Sequence, residues 1–255
     1  MITRVLAAGL LAGLFAGLAV ATLQTFTTTP LILEAEIYEK AAEKAALAPP
    51  LDRGSEARVI LVDAAAHDHA AHGGEEAWEP RNGLERTVYA SIATIATSIG
   101  FALLLLAGML LSGDAITERS AIAWAAAGFV VTGLAPGAGL SPEVPGMAAA
   151  DLVSRQAWWF LTASLTALSI WLFLRSANPR LKALAVVLLF APHIVGAPHL
   201  HDAEASKVPP DLAARFAAMS LAVQAALWIA TGFAAAFFWQ WMGRTRAPSR
   251  AAAPH

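Results

Sequence analysis

The chain contains no cysteine, so disulfides, thiolate metal sites and cysteine nucleophiles are all excluded. Charge is scarce too. Charged residues make up 14% of the 255, where a soluble domain carries about 25%. The net charge is −2 and there is no basic run, which removes the electrostatic footprint of a nucleic-acid binder. No GxxxxGK[ST] stretch exists to cradle a nucleotide phosphate. The long apolar stretches hold no Asp or Glu, so they offer no buried carboxylate relay of the kind proton-driven pumps use. Nor do they carry two histidines four residues apart, the spacing a haem bundle or a membrane di-iron oxidase would use.

What is abundant is apolar. Hydrophobic residues reach 57% and the mean hydropathy is +0.57, so the expected fold is all-α, a polytopic transmembrane helix bundle. About 20 consecutive apolar residues cross a bilayer, and six stretches free of Asp, Glu, Lys and Arg qualify as spans. They run over about Val5–Gln24, Thr87–Leu111, Ala121–Gly139, Gln156–Leu174, Ala183–Pro198 and Phe216–Met242. The fifth is short and is broken by Pro192 and Pro198. Gly9, Gly13 and Gly17 recur every four residues in the first stretch, which puts them on one helix face where backbones can approach closely. Arg4 followed by an apolar run and Ala19-Val20-Ala21 also fits a cleaved signal peptide, but the run is long for that role, and a retained span is expected.

The organisation expected is therefore a first transmembrane helix over 1–24, an outer loop over 25–86, a five-helix bundle over 87–242 and a basic cytoplasmic tail over 243–255. Arg4, Arg119, Arg175, Arg180, Lys182, Arg244, Arg246 and Arg250 then share one side, against Arg155, Lys207 and Arg215 in the short loops opposite. Basic residues in short loops mark the cytoplasm, so both termini are expected inside. Trp158 and Trp159 would mark the outer interface, and Trp171, Trp239 and Trp241 the inner one. In the outer loop, Pro30–Ala48 reads as a helix with Leu33, Ile37 and Tyr38 on one side, which extends the first span, lies on the membrane or is simply solvated.

Six of the seven histidines fall on the outer side in this topology. His67, His69 and His72 lie in the first outer loop, His199 and His201 beside Asp202 in the third, and His193 just below the surface. Neutral imidazole suits late first-row divalent metals, with carboxylates completing the site. An ordinary polar linker and a packed, hydrogen-bonded His193 fit the same residues. Glu143 and Asp151 add acid near the outer mouth, and Gln156 and Gln224 are polar groups able to line a path or to bridge helices. The segment 140–146, rich in Pro and Gly, is expected to form a short re-entrant or capping segment over that mouth.

Several motifs together resemble the CbtA family. They are the glycine-rich first span, Pro30-Leu31-Ile32-Leu33-Glu34-Ala35-Glu36, Leu140-Ser141-Pro142-Glu143-Val144-Pro145-Gly146, Arg155-Gln156-Ala157-Trp158-Trp159, and Ala191-Pro192-His193 leading to Pro198-His199. The resemblance implies a membrane subunit of a cobalt transporter in the bacterial inner membrane, taking up Co²⁺ for cobalamin synthesis. It implies no tightly bound cofactor and a small single-span, His-rich CbtB-like partner. Family members have about five spans, against the six counted above. The family supplies no ligand residues, so the candidates rest on this sequence. Ni²⁺ and Zn²⁺ suit the same ligands as Co²⁺, and a homo-oligomer is compatible. Two other readings use the same residues: an accessory protein that captures metal at outer histidines, and a membrane metalloenzyme, for which no nucleophile, base and ligand can be placed together.

Overall fold

A computed structural model describes residues 1–47, 80–199 and 206–244. The described residues form helices and connecting loops without a strand. In order these are α1 (Ile2–Phe26), α2 (Thr28–Leu47), α3 (Leu84–Leu111), α4 (Glu118–Phe129), a π turn (Val130–Leu134), α5 (Ala135–Gly139), α6 (Leu152–Arg175), α7 (Pro179–Val195) and α8 (Pro210–Arg244). The π turn joins α4 and α5 into one helical stretch. Pro136 supplies the reason, because it has no N–H to donate and its ring crowds the carbonyl four residues before it.

Large side chains point outward and small ones inward. In α1, Ala8, Gly9, Ala12, Gly13, Ala16 and Gly17 are buried, while Leu6, Leu10, Leu14, Phe15 and Leu18 are exposed. Lipid rewards this arrangement, since burying Leu against protein gains little over burying it in hydrocarbon, whereas small residues let backbones close in. The three glycines face α3: a methyl on Gly9 would meet Leu103, one on Gly13 would lie 2.2 Å from Ile99 Cα, and one on Gly17 would meet Ile95. Thr94 Oγ1 donates to Gln24 Oε1 at 2.8 Å across the same seam.

Helices α1, α3, α4 and α8 pack as a four-helix core. Gly232 of α8 sits against Ala121 and Ala125 of α4, and Gly128 of α4 lies under the indole of Trp228. The start of α1 and the end of α8 meet on one face, called here the near face. There Arg4 donates to the Trp239 carbonyl, covers the Trp239 ring at 3.9 Å and reaches Gly243. The opposite, far face carries α2, the 140–151 segment and the first turns of α8.

Helices α6 and α7 form an antiparallel hairpin, joined at the near face by a three-residue link. The Ser169 hydroxyl donates to the Ala185 carbonyl at 2.7 Å, and Trp158 meets His193 near the far face. α7 therefore runs beside α6 from one face to the other. Five stretches among the described residues are long and apolar enough to cross a membrane: α1, α3, the α4–α5 unit, α6 and α8. The fifth stretch expected from the sequence is α7, whose 17 residues reach about 25 Å at 1.5 Å per residue.

The helix expected over Pro30–Ala48 is α2, and it presents two apolar sides. Leu33, Ile37 and Tyr38 are exposed, while Leu31 and Ala35 are buried with Val144, Val208, Leu212 and Phe216. Only Thr27 separates α2 from α1, and the rotation inherited from α1 turns the 31–35 side onto α8. Arg86 of α3 ties α2 down by pairing with Glu36. This pairing holds the Glu36 carboxyl below its ordinary value near 4.5, chiefly through the arginine's hydrogen bond.

Candidate functional site: a polar cleft on the far face

A cleft of about 410 Å³ opens on the far face between the 140–151 segment, α6, the π turn and α8. Its polar lining comes from Thr132, Ser141, Glu143, Arg155, Gln156 and Gln224. Each is placed by a local device. Asp151 caps α6 by accepting from the Ser154 N–H at 2.9 Å and its hydroxyl at 3.0 Å. These bonds keep the Asp151 carboxyl below the usual carboxylate range. The cap fixes the first turn of α6, and with it Arg155 and Gln156. Val144 is buried in the apolar cluster beneath α2, which anchors Glu143 next door, and Gly146 turns the segment at φ +79°. Glu143 is not a free acid: Arg155 Nη2 lies 2.6 Å from its Oε2.

The floor of the cleft is the π turn. The Thr132 hydroxyl donates to the Gly128 carbonyl at 2.8 Å. It accepts from Trp228 Nε1 at 3.0 Å and from Gln224 Nε2 at 3.5 Å. Phe101 stacks on Trp228 with centroids 4.8 Å apart, holding the indole in place. Gly133 leaves room for the Gln224 amide oxygen, which a methyl there would meet at 2.5 Å. With Thr132 engaged by Trp228 and Gln224, the Glu143 carboxylate, the Ser141 hydroxyl and the glutamine amide oxygens are the side-chain oxygens lining the cleft. Hard oxygen donors of this kind suit a cation still carrying its water.

The sequence candidates therefore separate. Glu143, Gln156 and Gln224 share the cleft. His193 does not line it: the ring is half-buried and sits edge-on to Trp158 at 5.9 Å. Trp158 in turn fills the space over Gly139. His199 is exposed beyond the end of α7. His201, Asp202, His67, His69 and His72 lie outside the described residues. Among the described residues no three His, Asp or Glu side chains gather as a metal-ligand set. Gly9, Gly13 and Gly17 are remote from the cleft, in the α1–α3 seam. Sequence reasoning missed Thr132, Trp228 and the Arg155–Glu143 pairing. The legible signal was Gly133, Pro136 and Gly137 inside one apolar stretch, since such interruptions mark a local break in helical geometry.

A family model described as "Probable cobalt transporter subunit (CbtA)" matches residues 2–240. No curated protein and no solved structure matches the chain.

Proposed function

The chain belongs to the CbtA family of probable cobalt transporter subunits, and on that premise we propose that it is the membrane permease subunit for Co²⁺ uptake, admitting the ion through the far-face cleft. The observation that carries the reading is the convergence of Glu143, Gln156 and Gln224 on that one cleft. A hexahydrated divalent ion needs roughly 180 Å³ at about 30 Å³ per water, well within the cleft's 410 Å³.

The reading places six crossings in a bacterial inner membrane, with α7 included and both termini in the cytoplasm. Two features support it. Arg119, Arg175, Arg180 and Lys182 lie in the near-face turns of α4, α6 and α7, on the face that Arg4 and Arg244 share, and α7 exposes Val187, Phe190, Ile194 and Val195 as a lipid-facing helix would. The membrane potential then drives uptake, contributing about 4.6 kcal/mol per 100 mV for a doubly charged ion. The outer histidines His67, His69, His72, His193, His199 and His201, with Asp202, raise the metal concentration at the mouth, and a small His-rich CbtB-like subunit delivers metal to it. Oxygen ligands in the cleft bind weakly enough for the ion to leave.

The test is Co²⁺ influx into proteoliposomes holding the chain alone, compared with Glu143→Gln and with the His193→Ala, His199→Ala, His201→Ala triple variant. Influx that collapses in Glu143→Gln and falls at limiting metal in the triple variant is the expected result. Absence of influx from folded wild-type chain, with Co²⁺ still bound at the far face, would instead make it an accessory metal-capturing subunit.

A further inference from the structure

A second space, of about 360 Å³, lies in the near-face half of the molecule between α3, α4 and α6. Leu105, Ala127 and Ile170 give it an apolar body, and Asp114 and Arg175 stand at its near-face end. Leu104, Ala167 and Leu174 also line it and are exposed, so the space is a niche in the outer wall of the bundle. Along α6 it extends from Ala167 to Arg175, a rise of about 12 Å. One leaflet contributes about 15 Å of hydrocarbon. The niche therefore has close to the depth of a single leaflet, charged at one end and apolar below.

An apolar space open to hydrocarbon does not stay empty, because its lining would forfeit dispersion contacts. The charged end decides which lipid enters. Asp114 engages Nη2 of Arg175, and among the described residues the remaining guanidinium donors have no protein acceptor. The Trp171 ring lies against the same guanidinium, with its centroid 5.0 Å from Cζ. Trp124 donates to Asp114 at 2.8 Å and meets Trp171 edge-on at 6.5 Å. Two indoles thus frame the charged mouth, as such rings do at the level of lipid headgroups. The turns on this face, 112–119 and 175–182, carry Arg119, Arg175, Arg180 and Lys182 against Asp114 and Glu118. That surplus attracts a headgroup of net negative charge, whereas a zwitterionic one brings an ammonium of its own. On the topology proposed above this face is cytoplasmic, so a neighbouring helix would add further Lys and Arg there.

We propose that the niche holds one anionic phospholipid of the near-face leaflet, with its phosphate on Arg175 and one acyl chain along the apolar wall between α4 and α6. Basic pockets between membrane helices recognise anionic headgroups in this way. The inference requires only that these helices cross a bilayer, and it is independent of cobalt transport.

The test offers the purified chain in detergent an equimolar mixture of phosphatidylglycerol and phosphatidylethanolamine with identical acyl chains. Native mass spectrometry then reads the lipid retained. One phosphatidylglycerol per chain is expected, preferred by at least about five-fold, the scale of one basic residue near a membrane surface. Arg175→Gln is expected to bring that preference close to one. Ala167→Trp fills the niche and is expected to abolish retention, while Leu168→Trp, at an exposed position outside the niche, keeps it. Equal retention of the two lipids by the wild-type chain would overturn the proposal. So would phosphatidylglycerol retention that survives Ala167→Trp, or a second polypeptide bound in place of lipid and released by that substitution. The headgroup comparison is made on the wild-type chain, so it decides the matter even where a variant folds poorly.

Discussion

At the scale of single residues, the fold depends most on positions where a side chain is missing. A methyl on Gly13 would lie 2.2 Å from Ile99 Cα and 2.5 Å from its nitrogen. Backbone cannot swing aside as a side-chain tip can, so α1 and α3 would have to part. Gly13→Ala is therefore expected to lower stability by about 1–3 kcal/mol, the usual cost of overpacking. Gly100 has nothing within 4 Å of such a methyl, so Gly100→Ala is expected to be neutral or to stabilise α3 by up to about 1 kcal/mol. Chemical unfolding of the two variants in micelles compares them directly; equal losses would mean that the seam is not close-packed. The four-residue spacing of Gly9, Gly13 and Gly17 was visible in the sequence, but Ile95, Ile99 and Leu103 as their neighbours were not. A glycine face shows that something comes close without showing what. Thr132 is the reverse case. One hydroxyl in an apolar run reads as an ordinary helix-bonded threonine, and only the indole of Trp228 and the amide of Gln224, 92 or more residues away, make it the floor of a cleft.

At the scale of elements, α2 shows what a local pattern leaves open. Leu33, Ile37 and Tyr38 mark one apolar side and stay exposed, while Leu31 and Ala35 on another side are buried against α8 and the 140–151 segment. The Glu36–Arg86 pair ties this helix to α3. Since the folded carboxyl titrates below its ordinary value, the tie contributes fully above that value and is lost as the pH falls through the lowered one. Thermal unfolding followed from about pH 6 to pH 3 is expected to show this loss in the wild type. Glu36→Gln should begin less stable at neutral pH and lose less on acidification. An unchanged acid slope in the variant would show that Glu36 does not couple folding to pH. The π turn belongs to this scale as well. Hydropathy sees Glu118–Gly139 as one continuous apolar stretch, whereas a π turn over Val130–Leu134 divides it into two helices.

At the scale of the whole molecule, the proposed topology turns on how many times the chain crosses the bilayer. Length and composition give five candidate spans among the described residues, and the start of α1 and the end of α8 share one face, where Arg4 reaches Trp239 and Gly243. The proposed six crossings count α7 as the remaining passage, since it lies along α6 from the near-face link to Trp158. Single cysteines at Thr3 and Gly243 are expected to react with an impermeant reagent from one side of the membrane, and one at Ser141 from the other. Labelling of Thr3→Cys and Gly243→Cys from opposite sides would remove α7 from the list of crossings.

The sequence by itself determined the helical class, the place of each apolar helix to within a few residues, and the small-residue face of α1. Hydrocarbon imposes those requirements on each segment separately, because every backbone group must be bonded within its own helix and every span must be long enough. Only the tertiary structure decided which polar groups meet: that Glu143, Gln156 and Gln224 share a cleft, that Arg155 and Arg175 tie the two ends of one hairpin, and that His193 stands against Trp158 rather than in that cleft. Lipid accepts any apolar face equally, so the rotation of a helix about its own axis is fixed by its neighbours and cannot be read from the helix alone.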